Sequence, residues 1–214
     1  MLLEKLAVRV AKIRMLSSEP LEFPMRHEDG DRLASASQFN RAAGFGLVND
    51  PGKVGSGFGD RIPLRHELSP VTLRYLLDTS IVSVPISQKP DPAILKRLDK
   101  HGAECAIAAP VWHELTHGCR RLPRGKRRAA LDAYLRDVVR PSFPNLPYDE
   151  AAATWHGEER VRLEALGRPA AFVDGQIGAI AHVHGLVLVT TNPSHFGGFK
   201  GLIVENWSKP RPRA

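Results

Sequence analysis

The fold turns on YLLDTS, residues 75–80, a short apolar run that stops on an acid. Three other segments share its character: ECAIAAP (104–110), LVLVTTN (186–192) and GLIVENW (201–207). None alternates apolar with polar residues, so each suits a strand covered on both faces. Helical patterns separate them. Leu131, Leu135 and Val138 recur at helical spacing within 129–139. Asp149 is a candidate N-cap for a helix ending before Gly167, and Ile177, Ile180 and Ala181 share one face of a helix over 174–184 that stops at Gly185. Strands alternating with helices predict an α/β domain with a central parallel sheet flanked by helices.

Such a sheet gathers ligands at the carboxyl ends of its strands. Asp78 ends the first strand, Glu114 follows the second, and Asp174 opens a helix near the same rim, where the helix dipole tolerates a carboxylate. Acids brought together repel one another unless a cation compensates. Mg²⁺ and Mn²⁺ favour oxygen ligands and retain water. Such an ion acidifies a bound water and steadies the charge that grows on a reacting phosphate. Three carboxylates at these places therefore point to phosphodiester hydrolysis. Each alone is equally at home as a loop residue, a surface acid or a cap.

The 214 residues allow one good core with an appendage, and 43% hydrophobic with 25% charged residues is ordinary for a globular chain. No run of about 18 apolar residues occurs, so no membrane helix is expected. MLLEKLAVRVAKIRML (1–16) carries charges throughout, and residues 2–16 read as an amphipathic helix rather than a leader. Cys105 and Cys119 form no CxxC pair, which suits a reducing cytoplasm. The net charge of +7 is concentrated after residue 71, since residues 1–71 hold 10 Lys/Arg against 9 Asp/Glu. Arg120, Arg121, Arg124, Lys126, Arg127 and Arg128 cluster in one stretch that suits a phosphate backbone, though a solvated turn would have the same composition.

Residues 1–71 form a distinct N-terminal extension. After Ser17 it turns to Gly, Ser, Asp, Asn and Pro, and the rest, through residue 70, is expected to be largely irregular. A start codon assigned too far upstream would also account for it. Residues 72–207 are the folded domain, and 208–214 a basic tail.

Together these segments resemble the PIN-domain family, specifically the VapC-like toxins of type II toxin–antitoxin systems, from about Thr72 to Trp207. YLLDTS resembles the family's opening strand. ELTHGCRRLPRGKRRAALDAYL (114–135) resembles the segment with the second acid. LPYDEAAATWHGEERVRLEALGRPAAFVDGQIGAIAHVHGLVLVTTN (146–192) resembles the long stretch around the third, and VENW closes the match. The resemblance implies a metal-dependent endoribonuclease with Asp78, Glu114 and Asp174 as metal ligands for Mg²⁺ or Mn²⁺. It implies Thr79, Thr190 and Asn192 as auxiliary neighbours of the site. It also implies an RNA substrate, a small antitoxin partner and a homodimer. Two positions depart from the pattern. Ser80 stands where Asn is usual, a modest loss of hydrogen bonding. His195 stands where a fourth Asp is expected, which weakens the hold on a hard cation and leaves a catalytically weakened RNA- or antitoxin-binding module as an alternative.

HELTH (113–117) matches the zinc-protease signature, with two His one helical turn apart and a Glu beside them. No third His follows at the extended spacing, and Pro110 and Val111 leave His113 in the first turn of its helix. A zinc protease has no use for Asp78 or Asp174. LLDTS lacks the second Asp of a phosphatase start. Neither a P-loop nor a G-x-S-x-G elbow occurs. Trp112, Trp155 and Trp207 are expected in the core or an interface.

Overall fold

The computed structural model describes Phe23 and residues 72–208. These belong to one compact unit, and the second unit, Arg26–Ser69, lies outside the described residues. So do the expected helix over 2–16, nearly all of the irregular segment 17–70, and the basic tail past Ser208. Phe23 is the exception, a core residue only 5% exposed.

Five strands form one sheet: β1 (Tyr75–Leu77), β2 (Cys105–Ala108), β3 (Asn145–Leu146), β4 (Val187–Val189) and β5 (Val204–Glu205). Their order is β3-β2-β1-β4-β5, and every neighbouring pair is parallel. Tyr75, Leu76 and Leu77 pair with Cys105, Ala106 and Ile107 on one side and with Val187, Leu188 and Val189 on the other. All three residues of β1 and all four of β2 are buried, which is why these runs show no polar alternation. The chain builds outward from β1 to β3, then returns to β4 and builds the other way. The switch point of the sheet therefore lies between the ends of β1 and β4, where open parallel sheets bind ligands.

Seven α-helices are described between the strands: α1 (Thr79–Val82), α2 (Pro92–His101), α3 (Ala109–Arg121), α4 (Lys126–Tyr134), α5 (Arg140–Ser142), α6 (Glu150–Ala165) and α7 (Phe172–Val183). Asp91 caps α2 through Ala93 N and Ile94 N, and Asp149 caps α6 through Ala152 N, as its position predicts. Gly185 ends α7 at φ +62°, the left-handed geometry that glycine takes without strain. The helix expected over 129–139 starts earlier and changes pitch, with Leu135–Val139 forming a π-helical turn. The apolar pattern continues through that turn: Leu131, Leu135 and Val138 are all buried. Strand β3, two residues framed by Pro144 and Pro147, is too short to show a period.

Trp207 closes the core. It is 1% exposed, its ring meets Tyr75 edge-on at 5.1 Å, and its Nε1 donates to Glu205 Oε2 at 3.1 Å. Burying a side chain of leucine size or larger stabilises by roughly 1.5–3 kcal/mol, so Tyr75, Leu76, Leu77 and Trp207 anchor the sheet beneath the rim where Asp78 emerges.

Candidate functional site

Asp78 leaves β1 at the switch point. Its backbone takes the N-cap position of α1, yet its side chain makes no capping bond. Instead Oδ2 accepts from Ser80 Oγ at 2.7 Å and from Thr190 Oγ1 at 2.8 Å. Neighbouring strand ends make this possible, since Leu77 pairs with Val189 and Asp78 N donates to Val189 O at 2.9 Å. Thr190 is fully buried, and its hydroxyl also accepts from Asn192 N at 3.0 Å. Ser80 is no gap in the network: besides holding Asp78 it accepts from Thr191 N at 3.1 Å. Two donors on one oxygen fix the carboxylate in orientation, and among the described residues Oδ1 has no hydrogen-bond partner.

Thr79 carries the network to the next acid. Its hydroxyl donates to Glu114 Oε2 at 2.6 Å and ties α1 to α3. Glu114 is half-buried in the second turn of α3. Asp174 stands in the first turn of α7, whose N-cap, Ala171, offers no side chain to the free amides. A carboxylate is favoured there by the helix dipole. Asp174 Oδ2 lies 3.4 Å from His195 Nδ1, so the loop after β4 does reach the third acid. Asn192 is exposed, with its backbone bound to Thr190.

The described contacts join the acids in two separate sets. Asp78 and Glu114 are linked through adjacent residues, while Asp174 is paired with His195. Among the described residues, no group of three or more His, Cys, Asp or Glu side chains is disposed to hold a metal ion. The donor chemistry still suits a hard divalent cation, because the groups are carboxylates held by hydroxyls. Mg²⁺ ordinarily binds through one or two carboxylates and keeps several waters, so a closed protein cage is not required.

Behind the site lie two devices that the sequence does not advertise. Gly175, next to Asp174, is buried against His156: a Cβ there would fall 2.1 Å from His156 Nε2. His156 is 4% exposed and its Nδ1 lies 2.9 Å from Tyr148 Oη. Burial, helped by Arg160, lowers its pKa from the ordinary imidazole value. The second device is Glu159, 6% exposed, which bonds Arg162 through both oxygens and accepts from Lys200 N at 2.6 Å. Arg162 also donates to Gly198 O at 2.6 Å, so α6 grips the segment just after His195. Hydrogen bonding from Arg162 holds the Glu159 carboxyl below the usual range. A Glu and an Arg three apart on a helix hint at such a pair; nothing local points to residues 198 and 200.

The basic cluster spans the α3–α4 turn. Arg120 pairs with Asp132 at 3.4 Å, and Arg128 Nη1 donates to Leu122 O at 3.4 Å. Arg127 is half-buried, and Arg121, Arg124 and Lys126 are exposed. Lys126, Arg127 and Arg128 occupy the first turn of α4, where the dipole disfavours cations by about 0.3–1 kcal/mol each.

HELTH lies inside α3. The helix begins at Ala109, so His113 sits in its second turn, not its first as Pro110 and Val111 suggest. His113 and His117 are exposed, and Glu114 bonds to Thr79. Both cysteines are buried, and desolvation raises their pKa to about 12 for Cys105 and about 11 for Cys119, so neither is a ready nucleophile. No helix among the described residues is long and apolar enough to cross a membrane.

Comparison with known proteins places these features. The PIN domain family model matches residues 75–197. A tRNA(fMet)-specific endonuclease VapC from Shigella flexneri is 31% identical over 137 residues, 64% of this chain and 99% of that protein. Toxin FitB from Neisseria gonorrhoeae is 29% identical over 135 residues, 62% of this chain and 97% of that protein. Among solved structures, FitAB bound to an IR36 DNA fragment superposes with a TM-score of 0.62 at 25% identity, over 65% of this chain and 99% of that one. DNA-bound VapBC from Salmonella typhimurium gives 0.55 at 26% identity, over 64% and 99%.

Proposed function

Because this chain belongs to the PIN-domain family, with relatives among the VapC ribonucleases, we propose that it is a metal-dependent endoribonuclease of a toxin–antitoxin pair. The observation that carries the reading is Asp78 at the sheet's switch point, its carboxylate gripped by Ser80 and Thr190 and its Oδ1 left to a ligand. Asp78, Glu114 and Asp174 would hold Mg²⁺ or Mn²⁺, which when bound supplies an activated water and neutralises phosphate charge. Thr79 and Thr190 keep two of these carboxylates oriented before substrate arrives. Such preorganisation matters because donors set in advance cost no rearrangement at the moment of reaction.

Arg121, Arg124 and Lys126 would meet the RNA backbone. Seven residues of α3 separate Glu114 from Arg121, roughly 10 Å along the axis, about the spacing over which one helix can serve cleavage at one end and phosphate binding at the other. The cations crowded into the first turn of α4 run against the dipole, a cost that contact with phosphates would offset. Toxin FitB is a relative, and FitAB and VapBC are among the similar solved structures, which supports a small protein antitoxin as partner here, and a homodimer.

The test is incubation of the purified chain with structured RNA in Mg²⁺, Mn²⁺ or EDTA, alongside Asp78→Ala. Metal-dependent fragments that vanish in the variant support the reading. Binding without cleavage favours the alternative of a weakened binding module, to which His195 beside Asp174 lends support. Cleavage unchanged in Asp78→Ala would remove the proposed centre.

A further inference from the structure

His113 and His117 take no part in the function proposed above, yet they form a regularly spaced pair of ligating groups on the surface described. Both lie inside a 13-residue helix, four positions apart and therefore one turn apart on one face. Both are exposed. Their rings are nearly parallel, 11° between planes, with centroids 5.9 Å apart. Among the described residues neither ring makes a hydrogen bond or an ion pair. Among the other described histidines, His156 lies against Tyr148, His184 against Ile180 O and His195 against Asp174, His182 stacks on Trp155, and His101 approaches Glu104 at 3.5 Å.

We propose that His113 and His117 form a two-imidazole chelate for a borderline transition-metal ion such as Zn²⁺, Ni²⁺ or Cu²⁺, separate from the carboxylate centre. Imidazole nitrogen suits these ions, whereas Mg²⁺ prefers oxygen. The helix backbone sets the two ligands one pitch apart before any ion arrives, so little ordering remains to be done. Glu114 is not part of the chelate: it follows His113 by one residue, about 100° around the helix, and is bonded to Thr79. The pair is thus not a protease centre, since the acid that would serve as its base faces elsewhere. Water completes the coordination.

The test uses the metal-free full chain titrated with Zn²⁺ or Ni²⁺, followed by calorimetry and by the imidazole proton signals in NMR. No RNA is involved, so the outcome is independent of the ribonuclease reading. The expected result is one ion per chain at the pair, with the signals of His113 and His117 moving together and Mg²⁺ leaving them in place. His113→Ala and His117→Ala should each weaken binding roughly 100-fold, the low end of what joining two binding groups on one scaffold contributes. Asp78→Asn should retain the response. Both imidazoles are exposed, and circular dichroism of the two single variants checks that each is folded. Signals that stay put at saturating Zn²⁺, or single variants that bind as well as the parent, would overturn the proposal.

Discussion

The hydroxyl of Thr190 donates to the carboxylate of Asp78 at 2.8 Å, although 112 residues separate the two in sequence. Parallel pairing of β1 with β4 brings them together, with Thr190 fully buried and Asp78 half-buried. Thr190→Val keeps the shape but removes the donor to Asp78 and the acceptor for Asn192 N. We expect a loss of about 0.5–1.5 kcal/mol, the net worth of a typical hydrogen bond one of whose partners keeps some access to water. Denaturant unfolding measures it, and RNA cleavage should fall together with stability.

Replacing the acids one at a time as Asp78→Asn, Glu114→Gln and Asp174→Asn should each lower cleavage by at least about 100-fold, the scale on which removal of one preorganised electrostatic group acts. Single-turnover assays at saturating RNA separate this from weaker binding. If any of the three retains full activity, it is not a ligand.

Gly175→Ala should damage the site without touching it. The new methyl would fall 2.1 Å from His156 Nε2, and overpacking of this kind costs about 1–3 kcal/mol. The strain lies beside Asp174, so metal affinity should drop as well. A lowered melting temperature with unchanged metal binding would mean that the turn relaxes away from Asp174.

His195→Asp places a second carboxylate where an imidazole now lies 3.4 Å from Asp174 Oδ2. It should tighten Mg²⁺ and Mn²⁺, with the larger gain for Mg²⁺, which prefers oxygen donors. Calorimetric titration of both forms decides it, and equal affinities would detach the loop from the metal.

Acid should destabilise the fold in two stages. The pKa of His156 is lowered by burial, so its contribution is whole above the ordinary imidazole value near 6.5 and erodes as pH falls through that range. Glu159, lowered by Arg162, adds stability above the ordinary Glu value that is lost only at more acid pH, as the folded group takes up its proton. Melting temperature against pH, with Glu159→Gln as comparison, should show the second stage flattened in the variant.

The runs of β1, β2 and most of β4 disclose the sheet because double burial leaves an unbroken hydrophobic signature, whereas β5, which the fourth run also predicts, is only half-buried at Val204 and Glu205. Asp149 and Gly185 disclose helix ends because capping and left-handed backbone select few residue types. Asp78 and Thr190 are legible as residues flanking strand ends. Their bond is not, because it depends on strand order, which no local pattern encodes. Glu159 reaching Lys200 and His156 pressing on Gly175 escape for the same reason: they exist only when α6 has packed. The π-helical turn over Leu135–Val139 escapes because helical spacing of apolar residues tolerates a small change of pitch.

The parallel order of the sheet also fixes when the proposed centre can exist during synthesis. Asp78 emerges from the ribosome early, but the threonine that grips it comes more than a hundred residues later, on a strand that adds to the open edge of β1. A nascent chain short of β4 cannot align that carboxylate. Long-range pairing of this kind is slow to form, so the proposed centre can be assembled only once translation is nearly done.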